Sequence, residues 1–167
     1  MSNIFKKNET KIIIILDNIR SLNNIGSIFR TCDAFKIEKI ILCGICGQPP
    51  HREINKTALG STDFVKWEYY EQIQKPITKL INAGYEIISI EQTKKSIFLN
   101  EYKPKNKVVF ILGNEVKGVS KESLNLSNYH VEIPQYGKKK SMNVTICTGI
   151  VLWDFFQKKR IQKKDPF

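Results

Sequence analysis

The chain has 167 residues, which suits one domain around a single core. Hydrophobic residues make up 41% of it in short dispersed runs, which excludes a disordered chain, and no run approaches the ~20 residues of a membrane span. Lys and Arg number 27 against 16 Asp and Glu, and the net charge of +11 favours a polyanionic partner.

The N-terminus, MSNIFKKNETK, carries charges but no apolar signal region, so a cytoplasmic protein is expected. The first predicted element is a strand at 11–16, built on four isoleucines from Ile12 to Ile15. It runs into an unusually polar mouth holding Asn18, Arg20, Asn23 and Asn24. A helix is expected over 24–35, where Ile25, Ile28, Phe29 and Cys32 recur at helical spacing. Strands follow at 39–43 and, more weakly, at 64–69. The next helix, 76–83, has Pro76 near its start and stops at Gly84. Strands at 85–90 and 107–112 precede a helix at 120–126, which begins on Ser120 with Glu122 in its first turn. A strand at 130–133 and a helix over 144–163 complete the order β-α-β-β-α-β-β-α-β-α.

The strand runs are continuous in Ile and Val rather than alternating. They therefore read as strands covered on both faces, in a mostly parallel α/β sheet flanked by helices. The last helix holds Val144, Ile146, Cys147, Ile150, Val151, Trp153, Phe155 and Phe156, apolar on more than one face. A deep core position and a subunit interface both account for that pattern. Its end, with Lys158, Lys159, Arg160, Lys163 and Lys164, reads as a solvated basic tail over 158–167. One domain spans 1–167, without repeats or a linker.

Four cysteines and two histidines raise the question of a metal. Cys43 and Cys46 form one C-x-x-C pair, but Cys32 and Cys147 stand alone and no second half-site completes a tetrahedral zinc site. Reduced, buried thiols and no metal are expected.

Ligands of parallel sheets bind beyond the carboxyl ends of the strands. Three loops there are unusual: 18–30; 113–118, which reads GNEVKG; and 134–143, which reads PQYGKKKSMN. Neither G-x-G-x-x-G nor the P-loop pattern is present. Gly113 and Gly118 would let backbone approach a flat ligand such as adenine, or serve a turn. Lys138, Lys139 and Lys140 are placed to meet phosphates or to face solvent, as is Arg20 in the first loop.

Taken together, the three loops resemble the SpoU (TrmH) family of the SPOUT superfamily, the S-adenosyl-L-methionine-dependent RNA ribose 2′-O-methyltransferases. The first family motif, an asparagine and glycine followed by arginine, matches Asn24, Gly26 and Arg30. The second, G-x-E-x-x-G, matches Gly113, Glu115 and Gly118; the third matches Ile133, Pro134, Ser141, Asn143 and Val144. Met142 replaces the usual Leu, a volume-conserving swap, and Gln135 stands where many members have Met.

The resemblance implies a SPOUT-type domain with a C-terminal trefoil knot and a homodimer joined through the last helix. It also implies a cofactor held by Ile90, Gly113, Gly118, Ile133, Ser141 and Met142. The expected partner is RNA, tRNA first and rRNA as the alternative, met by Arg20 and Lys138–Lys140. Arg30 corresponds to the catalytic arginine, and Asn24, Glu115, Ser141 and Asn143 are its expected companions. Asn24 would cap the helix and hold the arginine, while Glu115 and Asn143 would anchor loops, Glu115 also pairing with an arginine. A rival reading is a noncatalytic RNA-binding protein that retains the fold. Intact Arg30, Glu115, Ser141 and Asn143 favour the enzyme.

Overall fold

Each isoleucine of the opening run is buried, and alternate ones pack on opposite sides of the sheet. In the computed structural model, which describes residues 10–139 and 141–162, strand β1 (Lys11–Asp17) sends Ile12, Ile14 and Leu16 into one apolar layer. Ile13 and Ile15 enter the other. A strand sandwiched this way has no polar face to alternate, which is why its sequence is continuous. Each fully buried Ile contributes about 1.5–3 kcal/mol relative to exposure.

Helix α1 (Leu22–Ala34) follows, then β2 (Lys39–Cys43), α2 (Arg52–Ala58), a 3-10 turn at Ser61–Asp63, β3 (Trp67–Tyr70), α3 (Gln74–Asn82) and β4 (Glu86–Ile90). The short β5 (Ile97–Phe98), β6 (Lys107–Gly113), α4 (Lys121–Leu126), β7 (Tyr129–Glu132) and α5 (Val144–Gln162) complete the elements of the described residues. Among the described residues the sheet has seven strands in the order β3-β2-β1-β6-β4-β7-β5, and every pairing between them is parallel. Helices α1, α2 and α5 cover the Ile14 face, and α3 and α4 the Ile13 face. Among the described residues no helix is long and apolar enough to cross a membrane.

Several expectations change. Helix α2 was not expected: it has seven residues, of which only Ile54 and Ala58 are buried, too few to show a period. His51 caps it, accepting from the Glu53 N–H at 3.1 Å. Strand β5 has two residues and also carries no pattern. The strand expected at 64–69 begins at Trp67, because 61–63 form a 3-10 turn that leaves Phe64 79% exposed.

The expected solvated tail is not solvated at its start. Lys159 is buried, and its ammonium donates to Pro104 O (2.7 Å) and Asn106 Oδ1 (2.9 Å). Lys158 pairs with Asp154 at 2.6 Å and donates to Leu99 O. These lysines clamp the 99–106 connector onto α5, which a run of basic residues could not disclose. Lys163 and Lys164 lie outside the described residues.

Candidate active site

At the carboxyl end of β1, the side chain of Asp17 is buried. It accepts from the Asn18 amide (2.8 Å), Ser120 N–H (2.9 Å) and Ser123 hydroxyl (2.8 Å), so neutral donors satisfy it. Asn18 turns the chain with a φ of 57°, and its carbonyl accepts from the Asn114 amide at 2.6 Å. The first loop is thereby fixed to the second.

Asn114 also shapes its own loop. Its Oδ1 accepts from the Val116 (2.9 Å) and Lys117 (3.0 Å) N–H groups, while Asn114 and Gly118 exchange backbone hydrogen bonds of 3.0 and 2.9 Å. The tight loop explains its glycines. A Cβ on Gly113 would lie 2.2 Å from the Gly118 carbonyl carbon and the Val119 nitrogen. Gly118 has a φ of +71°, and a Cβ there would lie 2.2 Å from Glu91 Oε2. Within the protein, then, Gly113 is required by close approach of backbone to backbone and Gly118 by its left-handed φ, before any ligand is considered.

Glu115 reaches across to the start of α1. Its carboxylate accepts from the Asn24 amide (3.0 Å) and from the Arg20 and Ser21 N–H groups (both 3.2 Å). A carboxylate at a helix N-terminus is favoured by the helix dipole as well as by these free donors. Partial burial raises its pKa, yet hydrogen bonds from its own N–H, Asn24, Arg20 and Ser21 prevail and hold the carboxyl below its ordinary value. Two expectations are corrected here. The helix cap is Ser21, whose hydroxyl accepts from the Asn24 N–H at 3.2 Å, so Asn24 is free to bind Glu115. And the arginine contact of Glu115 is the Arg20 backbone, not a guanidinium.

Gly26 serves a different purpose. It sits where α1 meets α2, and a Cβ there would lie 2.2 Å from Ile54 O and Thr57 Oγ1. The Thr57 hydroxyl donates to Asn23 O at 2.9 Å across the same contact. The missing side chain lets α2 lie against the helix that carries Arg30.

A cleft of about 440 Å³ opens beyond the ends of β4, β6 and β7. Ile90, Gly113, Gly118, Ile133, Ser141 and Met142 all line it, as does Glu115. Leu112, Val144 and Cys147 add apolar wall, while Glu91 and Glu132 bring further carboxylates. Burial first, and then the charge of Glu91, push the Cys147 thiol up. Thr93, also on the wall, bonds His130 Nδ1 at 2.9 Å, and His130 Nε2 lies 3.0 Å from Leu124 O. A carbonyl only accepts, so Nε2 carries a proton.

Arg30 is exposed on α1, one turn beyond Ser27, and is not among the cleft-lining residues. Asn143 also lies off the wall: its Oδ1 caps α5, accepting from Thr145 N–H (2.8 Å) and the Thr145 hydroxyl (2.6 Å). Arg20, Lys138 and Lys139 are exposed, and Lys140 lies outside the described residues. Sequence reasoning missed Asp17, Glu91, Asn114 and Glu132. Glu91 follows the end of β4, so the rule that placed the other loops would have found it; Asp17 and Asn114 had no signal beyond adjacency to a motif.

The geometry can be set beside known proteins. Residues 11–153 match the model of the SpoU rRNA Methylase family. A tRNA (guanosine(18)-2'-O)-methyltransferase of Aquifex aeolicus is 29% identical over 163 residues, covering 96% of this chain and 75% of that protein. An uncharacterized tRNA/rRNA methyltransferase of Borreliella burgdorferi is 33% identical over 153 residues, covering 90% of this chain and 65% of its own length. Among solved structures, the A. aeolicus TrmH/SpoU tRNA modifying enzyme superposes with a TM-score of 0.84 at 27% identity, covering 96% of this chain and 81% of that one. The AdoMet-bound rRNA methyltransferase of Sinorhizobium meliloti gives 0.82 at 25% identity, covering 92% and 58%.

Proposed function

The chain belongs to the SpoU rRNA Methylase family, and on that premise we propose that it is an S-adenosyl-L-methionine-dependent ribose 2′-O-methyltransferase whose substrate is tRNA. The observation that carries the reading is the Glu115–Asn24 contact, which ties the helix bearing Arg30 to the loop lining the cleft. The cleft suits the cofactor. Its volume falls in the ~300–1,000 Å³ range of small-molecule sites, with apolar surface from Leu112, Ile133 and Val144 for a flat ring and carboxylates for a cation. The relatives named for tRNA support the substrate class.

When bound, S-adenosyl-L-methionine supplies an electrophilic methyl group. The chain's own residues have to align a ribose 2′-hydroxyl with that methyl and exclude water, which accounts for much of the acceleration in such displacements. Ile90, Gly113, Gly118, Ile133, Ser141 and Met142 hold the cofactor in this reading. Arg30 binds the phosphate beside the target ribose and stabilises negative charge as it develops on the oxygen. Asn24 and Glu115 fix the entry to α1, and Asn143 fixes the start of α5. Arg20, Lys138, Lys139 and Lys140 meet the RNA backbone.

Incubating the protein with labelled cofactor and separate tRNA and rRNA pools, then digesting to nucleosides, should give 2′-O-methyl product from tRNA. Guanosine 18 is the position to map first, since relatives bear that name. RNA affinity should also fall steeply with salt. Cofactor binding without transfer to any RNA would leave the rival, noncatalytic reading.

The same reading places the protein in the cytoplasm as a knotted homodimer joined through α5. Ile146 (54% exposed) and Trp153 (60% exposed) lie two turns apart on one face of that helix, an apolar stripe left exposed by the described residues. Light scattering should report a dimer for the native chain and a monomer for Ile146→Glu/Trp153→Glu. A native monomer would remove this interface.

A further inference from the structure

The cleft is acidic although the chain is strongly basic. Among the described residues, its walls carry the carboxylates of Glu91, Glu115 and Glu132 against one ammonium, Lys117, in a protein of net charge +11. None of the three carboxylates forms an ion pair among the described residues. Glu115 is turned onto the start of α1, and Glu132 accepts from the Ser96 hydroxyl at 2.5 Å. Glu91 differs from both. It is pinned by backbone alone, Oε1 accepting from Gln92 N–H (2.9 Å) and Oε2 from Val119 N–H (2.8 Å). Each carboxylate oxygen has two lone pairs, so each keeps one acceptor direction unused by these bonds.

Room for this carboxylate is built into the loop opposite. The Cβ that Gly118 lacks would lie 2.2 Å from Glu91 Oε2, so any side chain at that position would displace the carboxylate. The charge of Glu91 is felt across the cleft, where it helps push up the Cys147 thiol of α5. A fixed anion, hydrogen-bonded without a counter-cation, is a preorganised partner for a positive charge.

Resting on the cofactor reading above, we infer that Glu91 is the residue by which the cleft selects the sulfonium cofactor over its thioether product. Methyl transfer breaks the S–CH₃ bond and leaves the electron pair on sulfur, while the new C–O bond forms and the hydroxyl proton leaves to solvent. The ligand thereby loses one positive charge. S-adenosyl-L-methionine enters with a net charge of +1 and S-adenosylhomocysteine leaves neutral, so an unpaired anion at the wall favours the first and helps release the second. Glu115 is committed to its donors at the start of α1, and Glu132 accepts from the Ser96 hydroxyl through one oxygen, without the backbone clamp that fixes Glu91 in place.

Calorimetry on the purified chain, without RNA, tests this. The native protein should bind S-adenosyl-L-methionine about tenfold more tightly than S-adenosylhomocysteine, as expected for a charge pair ~4 Å apart in an open cleft with a dielectric of ~60, near that of water. Glu91→Gln should bring the two within about twofold, by weakening the cofactor while the product stays within about twofold of its native affinity. Sinefungin, which carries an ammonium in place of the methylated sulfur, should follow the cofactor. In the native protein the preference should shrink as KCl rises, an arm that needs no variant to fold. A Glu91→Gln protein that weakens both ligands alike would make Glu91 a loop anchor and overturn the inference, as would an unchanged ratio. Native protein that binds neither ligand would instead overturn the cofactor reading itself.

Discussion

Arg30→Ala should reduce methyl transfer about a hundred- to a thousandfold, the scale of losing a group that stabilises transition-state charge, with cofactor affinity altered less than about twofold. The separation follows from placement. Arg30 is exposed on α1 and does not line the cleft, so its loss leaves the cofactor walls intact. A guanidinium is a poor base, since it keeps its proton in proteins. The planar fork suits a phosphate instead, and for that geometry lysine is no equal substitute. Arg30→Lys should therefore retain only a small part of the rate. Single-turnover transfer, with calorimetry for the cofactor, reads both quantities, and turnover kept in Arg30→Ala would remove the residue from the mechanism.

A second large effect is expected at Gly26. Gly26→Ala places a Cβ 2.2 Å from Ile54 O and Thr57 Oγ1, one of them backbone, so α1 and α2 have to separate. Overpacking of this kind costs about 1–3 kcal/mol, and Gly26→Val should cost more. Because α1 carries both Asn24 and Arg30, the displacement should lower turnover as well as stability. Denaturant unfolding measures the first change through the midpoint. A midpoint equal to that of the native protein would show that the two helices do not need their close contact.

The sequence made the strands visible because burial on both faces leaves continuous Ile and Val. Strand β2 matches its expected 39–43 bounds, while β1 and β6 each extend one residue further, through Asp17 and Gly113. Helix α1 was visible through Ile25, Ile28, Phe29 and Cys32, all of them buried. Where tertiary contact decides, the pattern is silent. Helix α2 buries too little to show a period, and Lys159 looks like any exposed lysine until Pro104 and Asn106 are brought beside it.

The motif residues were legible as a set, but their geometry was not. Asn24, Glu115 and Gly26 read as one signature, yet that signature does not say that Asn24 binds Glu115 while Gly26 seats α2. Glu91 was legible as a residue just past the end of a strand, but nothing in the pattern singled out its charge among 16 acidic side chains. Its meaning comes from Gly118, far along the chain, and the turn that brings them together.

The clamp at the end of α5 also bears on how the chain reaches its fold. Strand β1 pairs in parallel with β6, joining Lys11 to Lys107, and Lys159 holds the connector that leads into β6. Neither contact can form until distant parts of the chain have met, so loop-closure entropy is spent before these contacts return any stability. Folding is therefore slow for a chain of this size. During synthesis the central β1–β6 seam must wait for most of the chain, leaving the isoleucine-rich edge of β1 unpaired in the interval.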